Sequence, residues 1–532
     1  MTNVMRARRQ WGRDHMVSTA STPATLAALA ILDEGGNAFD AAIGISAVLT
    51  VNQPMACGPA GDAAIVCHSA DSASPVSLTA LGRAPMATTP EALRDSGHAT
   101  VPSTGPLSIS TPALTDAWFA LHERYGRLGM ERILAPAVEL AESGTTITGQ
   151  DARWAQVSLE VLRQPHFKDL FGAYASPSAP GSVLRQPGLA RLLRLVIEHN
   201  GRPERFRAIL GEAVESACTS EGALIRAQDC LADHAVFEPA ATTSIGDWTI
   251  ATTPAPTQGP VLLQNLALYA RLASDTPLDS AAGIHMLAEI ANQTYGYRLE
   301  TLGDPEAPPA TDALAPAVLE RLAANVNDAK TSPPTCLGKY SQGDTTHFAV
   351  LDSDGNGVSW VQSLGLGFGS GVGVPEFDML LCNRLGRSAT LDDGDPNRLS
   401  PGRRPVNTIL PWAVTELEGL RWLGGTPGGD GQTQWNAQVV LGLLLEQLNP
   451  LQALARPRWT YYPGADKAEA AMGLQLRVDA NMSDAVIEEL RGFGYDVVPK
   501  PSVGGVMRIL ERADGHHFGL DDGRHEGLTA GR

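Results

Sequence analysis

The sequence predicts an α/β protein, and three observations lead there. Apolar helix-like stretches fill the first half, Gly-punctuated strand-like runs take over after residue 340, and strongly helical segments return near the end. A length of 532 residues suits more than one core, or one large two-layer domain with elaborations.

The elements follow in chain order. Residues 22–50, TPATLAALAILDEGGNAFDAAIGISAVLT, predict two buried helices separated at Gly35-Gly36-Asn37. Gly-Gly supplies the positive φ that ends one helix, and Asn37 or Asp40 can start the next. GDAAIVCH (61–68) and VSLTALG (76–82) predict strands. Residues 110–145 predict two helices, one opening near Pro112 and one following Gly129, and 187–231 are helical again. The stretch 303–340 carries Pro305, Pro308, Pro309, Pro316, Pro333 and Pro334, and Pro333-Pro334 marks an irregular connection. HFAVLDSDGNGVSWVQSL, GSGVGV and RPVNTILPWAVTE then predict strands, and 432–447 and 483–494 predict helices. No internal repeat is evident at a period of roughly 20–50 residues.

Composition excludes several function classes. With 43% hydrophobic and 18% charged residues, the chain is a globular one. A net charge of −18 is unsuited to holding a nucleic-acid backbone. The opening MTNVMRARRQWGRDHMVSTAST lacks the apolar core of a secretory signal, and no run is long enough to span a membrane. Cys57, Cys67, Cys218, Cys230, Cys336 and Cys382 form no CxxC pair, so a cytoplasmic protein with buried free thiols is expected.

Three motifs lose to simpler readings. DSDGNG (352–357) starts like an EF-hand loop, but position twelve is Ser363 and the flanks alternate, so a hairpin turn fits better. GLGFGSG (365–371) lacks the strand–loop–helix context of a nucleotide site. His516-His517 suits a solvent-facing loop better than a metal site, and there is no HExxH. No metal or other cofactor is expected.

GDTTHFAVLDSDGNGVSWVQS (343–363) is where chemistry enters. A threonine hydroxyl is a weak nucleophile and needs an adjacent base. Cleavage between Asp344 and Thr345 would give Thr345 a free α-amine with a reference pKa of roughly 7.7–8.0. One residue would then supply nucleophile and base, and Thr345 Oγ could itself attack the Asp344 carbonyl to make the cut. The hairpin turn would return Ser363 beside Thr345. In GGTPGGDGQ (424–432), Gly428 and Gly429 precede a long helix, where bare N–H groups suit a developing oxyanion.

These pieces resemble the γ-glutamyltransferase family of N-terminal-nucleophile hydrolases over nearly the whole chain. The matching blocks are MVSTASTPATLAALAILDEGGNAFDAAIG, CGPAGD (57–62), GRAP (82–85), LGDP (302–305), DTTHFAVLDSDGNGVS, PGRRPVNTILP (401–411), TPGGDGQ and GLDDGRHEG (519–527). The resemblance implies a four-layer αββα sandwich. It also implies self-cleavage into segments 1–344 and 345–532, which stay together as one intertwined unit; a dimer of that unit stays open. Thr345 would begin the small fragment and form the acyl-enzyme. Ser363 falls where the family has a second threonine, Gly428 and Gly429 match the oxyanion glycines, and Asn407 and Thr408 match a serine pair lining the substrate pocket.

The departures concern the substrate. Members acting on glutathione clamp the glutamyl carboxylate with an arginine; TALGRAP puts Leu81 there, with Arg83 two residues on. A family asparagine becomes Gly365, and an aspartate that holds the substrate amine falls on Arg387. A cation in place of an anion should reject an ammonium group and attract a carboxylate. VSWVQSLGLGFGSGV and GGDGQTQ look more like the oxamate amidohydrolase-like branch. The expected substrate is therefore a small molecule with a short anionic acyl group, oxalyl or a related 2-oxo acyl. Its carboxylate would be held by Arg387 or Arg384, and water would be the usual acceptor. Cleavage of a C–C bond releasing an oxalyl-type fragment, true γ-glutamyl transfer, and an inactive binding homologue stay open.

Overall fold

The computed structural model describes residues 7–306, 312–333, 344–417, 419–461, 475–513, 515–524 and 526–532. Two seven-stranded sheets, antiparallel throughout, lie at its centre. The first runs in the order Arg8–Gly12, His516–Asp521, Arg508–Ala513, Gly419–Gly425, Trp412–Glu416, Trp248–Thr252, Ala241–Ile245. The second runs Leu528–Gly531, Met16–Thr19, Asp344–Leu351, Gly357–Gly365, Asp62–His68, Val76–Ala80, Ala235–Pro239. Both sheets draw strands from either side of Asp344 and Thr345, so neither segment holds a complete sheet.

Three apolar cores stack through the molecule. Helices Thr22–Asp33, Ala38–Asn52, Leu114–Tyr125, Met130–Ser143 and Pro187–Glu198 cover the outer face of the second sheet, where Phe348 and Trp360 stack with ring centroids 5.4 Å apart. Helices Gly259–Leu272, Ala281–Thr301 and Gln432–Leu444 cover the outer face of the first. Between the sheets, Met16, Val66, Ala349, Leu351, Ala413, Leu420, Leu423 and Leu510 form a third core. Helix, sheet, sheet, helix is the four-layer sandwich expected from the resemblance.

The first two helices form as the sequence predicts. Asn37 Oδ1 accepts the N–H groups of Phe39 and Asp40, and Asp40 Oδ2 accepts the Asn37 N–H, a reciprocal capping box. Every residue of Ala38–Asn52 is buried. The DSDGN segment is a hairpin turn held by Asp352. Its carboxylate accepts the N–H groups of Asp354 (3.0 Å) and Asn356 (2.9 Å), the Asn356 amide (2.8 Å) and the Ala38 N–H (2.8 Å). These donors use the oxygens a cation would need.

Several expectations need correction. In RPVNTILPWAVTE only Trp412–Glu416 is strand, and in GSGVGV only Gly373–Val374. His516 and His517 open a strand, not a loop; His517 is 5% exposed and burial lowers its pKa to about 4. Cys57, Cys67, Cys218, Cys230 and Cys382 are buried and form no disulfide. Cys336, Pro308, Pro309 and Pro334 lie outside the described residues. Among the described residues no helix is long and apolar enough to cross a membrane, and no cluster of three His, Cys, Asp or Glu could hold a metal.

Candidate active site

Side chains on a strand alternate between faces. Counting back from Leu351 and Ala349, which point between the sheets, His347 and Thr345 occupy the same face. The register shifts between Asp344, paired with Gly365, and Thr346, paired with Gln362, so Ser363 and Leu364 together face Thr345. Such a bulge re-aims side chains where a strand pair meets a site. Thr345 Oγ donates to Ser363 Oγ at 3.2 Å, and the Gly365 N–H fixes that oxygen from the other side at 2.9 Å. Thr345 is 2% and Ser363 1% exposed.

The glycine loop arrives from the facing sheet. Along strand Gly419–Gly425, Leu420 and Leu423 pack over the Gly357 end of the hairpin, and Gly425 sits against the His347 ring. The chain therefore runs from the hairpin tip toward Thr345. Continued past His347, it brings Gly428 and Gly429 to the Thr345 end of the layer. Gly428 has φ +127° and ψ 32°, and a Cβ there would lie 2.1 Å from the Trp435 ring, so only glycine fits. Helical structure begins at Gly429 and continues as Gln432–Leu444. The first N–H groups of a helix have no partner inside it, which leaves donors for an anion.

Asp62, at the end of CGPAGD, ties the remaining pieces together. It pairs with Ser363 across the strands and shares its face, so Thr345, Ser363 and Asp62 stand in a row on three adjacent strands. Its Oδ1 accepts the Gly82 N–H at 2.8 Å. Its Oδ2 accepts Arg384 Nε at 2.7 Å and Asn407 Nδ2 at 2.9 Å, with Cys382 Sγ at 3.5 Å. Gln258 Nε2 bridges the carbonyls of Thr408 (2.6 Å) and Gly429 (2.9 Å), locking the Asn407-Thr408 segment to the glycine loop.

A second carboxylate, Asp430, follows Gly429 directly. Arg298 Nη1 reaches its Oδ1 at 2.5 Å and Arg387 Nη2 its Oδ2 at 3.5 Å. Burial lowers the Arg387 pKa; Asp430 opposes this, while Arg384 and Arg298 beside it push the same way as burial. Three arginines thus surround two aspartates, a local excess of positive charge at the Thr345 end of the layer.

Most of the sequence candidates gather here: Thr345, Ser363, Gly428, Gly429, Arg384, Arg387, Asn407 and Thr408. Asp344 precedes Thr345 at the start of the same strand. Arg83 is drawn elsewhere. Its guanidinium grips Glu306 through both ends (3.0 and 3.1 Å) and the Gly402 carbonyl at 3.0 Å. Leu81 is 2% exposed and packs with Ala64, Val361 and Ile409, an apolar wall where an arginine clamp was missing. Gly365 also has a physical reason: with φ +97°, a Cβ would lie 2.2 Å from Asn383 Oδ1, which caps the Leu366 N–H at 2.9 Å. His347 is no base for Thr345. Its Nε2 donates to Ser359 Oγ at 3.0 Å, and complete burial, with Arg508 nearby, holds its pKa well below the usual imidazole value.

Sequence reasoning missed Asp62, Gln258, Arg298 and Asp430 as site residues. Asp62 and Asp430 lay inside blocks already singled out, CGPAGD and TPGGDGQ, and a lone aspartate in a glycine loop was the available signal. Gln258 and Arg298 sit on helix-rich stretches with no local signal.

A family model described as gamma-glutamyltranspeptidase matches residues 24–531. The chain is 31% identical over 523 residues to the oxamate amidohydrolase proenzyme of Klebsiella pneumoniae subsp. pneumoniae, covering 96% of each. It is 28% identical to the glutathione hydrolase-like YwrD proenzyme of Bacillus subtilis, covering 98% of this chain and 99% of the other. Its backbone matches the crystal structure of a cephalosporin acylase from Bacillus halodurans with a TM-score of 0.88 and 26% identity, over 99% of this chain and 97% of that one.

Proposed function

The chain belongs to the gamma-glutamyltranspeptidase family and is an enzyme of the N-terminal-nucleophile hydrolase type; from that premise we propose that it is a self-cleaving threonine acyl hydrolase acting on small amides with a short anionic acyl group. The observation that carries this reading is the row Thr345–Ser363–Asp62, opened by a 3.2 Å hydroxyl contact and ended by a buried arginine.

In the precursor, Thr345 Oγ attacks the Asp344 carbonyl, and the acyl group moves from nitrogen to oxygen. Water then hydrolyses the ester, leaving an Asp344 carboxylate and the Thr345 α-amine. That relatives are described as proenzymes supports this step. In turnover, the amine takes the Thr345 hydroxyl proton as Oγ attacks the substrate carbonyl. The oxyanion receives the N–H groups of Gly428 and Gly429, held in place through Gln258 and the Gly429 carbonyl. The proton passes to the departing amine, and water attacks the resulting ester with the same α-amine as base. Ser363 orients Oγ throughout.

Charge supports the choice of acyl group. The family position of the glutamyl clamp is Leu81 in an apolar wall, whereas Arg384, Arg387 and Arg298 gather around Asp62 and Asp430. An oxalyl or related 2-oxo acyl carboxylate suits that cluster of cations, and an ammonium group does not. The described relatives span oxamate and glutathione chemistry, so the two are the comparison to make. The test is kcat/KM for an oxalyl amide against a γ-glutamyl anilide with the cleaved protein. The proposal expects the oxalyl compound to be preferred by at least 100-fold; preference for the γ-glutamyl compound overturns it.

A further inference from the structure

Arg384 and Arg387 stand three residues apart on one short helix, Arg384–Ser388, and both are buried. Their surroundings give them different work. Arg387 reaches Asp430, the residue next to the oxyanion glycines. Arg384 is 1% exposed and is held by one contact on one edge: Nε donates to Asp62 Oδ2 at 2.7 Å. Both its terminal nitrogens, Nη1 and Nη2, are buried and have no hydrogen-bond partner among the described residues.

A buried guanidinium with its whole outer fork unsatisfied is unfavourable unless a ligand completes it. The fork of Nη1 and Nη2 matches a carboxylate in geometry and charge. Its place is set by Asp62. That aspartate's backbone is two strand spacings, about 10 Å, from that of Thr345 on the same face, and it holds Arg384 Nε at 2.7 Å. Asp62 is itself saturated by Gly82, Asn407 and Cys382, so it cannot follow Arg384 if the arginine moves.

The geometry points to Arg384 as the residue that clamps the carboxylate of the acyl group, end-on through Nη1 and Nη2, with Asp62 as its positioning residue. Arg387 is assigned instead to Asp430 and, through it, to the glycine loop. This rests on the short-anionic-acyl reading above and says which cation delivers it.

The test uses cleaved protein and two matched substrates: an oxalyl amide, and the oxamide in which a carboxamide replaces the carboxylate. The readout is the ratio of their kcat/KM values. Arg384→Gln should lower that ratio by on the order of 100-fold, chiefly through KM for the charged substrate, as expected for losing hydrogen bonds between charged groups. Arg384→Lys, which keeps the charge but loses the fork, should fall between. Asp62→Asn should lower the ratio by about 10-fold, since the amide holds Nε less firmly. Arg387→Gln should lower kcat for both substrates together and leave the ratio within about twofold. Recovery of both fragments, 1–344 and 345–532, shows that a variant has folded; if Arg384→Gln yields no cleaved protein, Arg384→Lys and Asp62→Asn decide. A ratio unchanged in these variants, or carried by Arg387→Gln instead, overturns the assignment while leaving the acyl reading intact. Wild-type preference for the γ-glutamyl compound overturns that reading first.

Discussion

The hairpin Asp344–Gly365 has two ends that face the same space between the sheets and are made of different material. At the turn end, Ala349 and Leu351 meet Met16, Val66, Leu420, Leu423 and Leu510 in an apolar core. At the open end, Thr345 and Ser363 meet a layer of aspartates, arginines and glycine backbone. The alternation that packs one end also aims the other, because side chains keep a period of two along each strand as far as Thr345 and Ser363, where the pairing register shifts. A rigid apolar anchor a few residues away can therefore hold Thr345 still without touching it.

Five experiments break or sharpen this contrast. Thr345→Ala should leave a single uncleaved chain on a denaturing gel and lower turnover by on the order of 10⁴-fold or more, as expected for losing a nucleophile. A cleaved or active Thr345→Ala protein would remove the chemistry from the open end. Gly428→Ala should lower kcat by about 10²–10³-fold, because the φ of +127° and the Trp435 ring displace the loop. Its circular dichroism should stay that of wild type. Leu423→Ala, at the turn end, should cost about 3 kcal/mol of stability in urea titrations while kcat of the folded enzyme holds. A large kcat loss with unchanged stability would mean the two ends are not separable.

The contrast also shows what could be read from sequence. The turn chemistry of DSDGN and the capping box at Asn37 are local, so hairpin and helices were legible. The strands Gly419–Gly425, Arg508–Ala513 and His516–Asp521 were not singled out, because their pairing partners are distant and their glycines and charges resemble loops. The same holds for the site. Thr345, Ser363 and the glycine pair sit in compact blocks, while Arg298 on its helix and Gln258 acquire meaning only through contacts across more than 130 residues, at Asp430 and Gly429. Arg83, chosen for its place in a block, found Glu306 instead.

Ser363→Ala should have a smaller effect, slowing both cleavage and turnover by about 10-fold, since it removes one neutral hydrogen bond to the nucleophile. Wild-type rates would make Ser363 a strand residue only. The smallest effect per group is on acid stability. His68 and His517 are buried with pKa values lowered to about 4, and His347 is lowered well below the usual value, all chiefly by burial. Their unfolded forms bind protons near pH 6.5, where the folded forms do not. Stability should therefore be level above pH 6.5 and fall as pH drops from 6.5 toward 4, by up to about 1.4 kcal/mol per pH unit for each group. Urea midpoints that rise on acidification across that window would show these rings charged in the fold.

Mass spectrometry of the small fragment, taken during turnover of an oxalyl amide and quenched in acid, tests the central claim most directly. The account predicts a fragment whose first residue is Thr345, carrying an acid-stable acyl ester on that residue and on no other. An unmodified fragment throughout turnover, an adduct on another side chain, or full activity in a chain still joined at Asp344–Thr345 would contradict it.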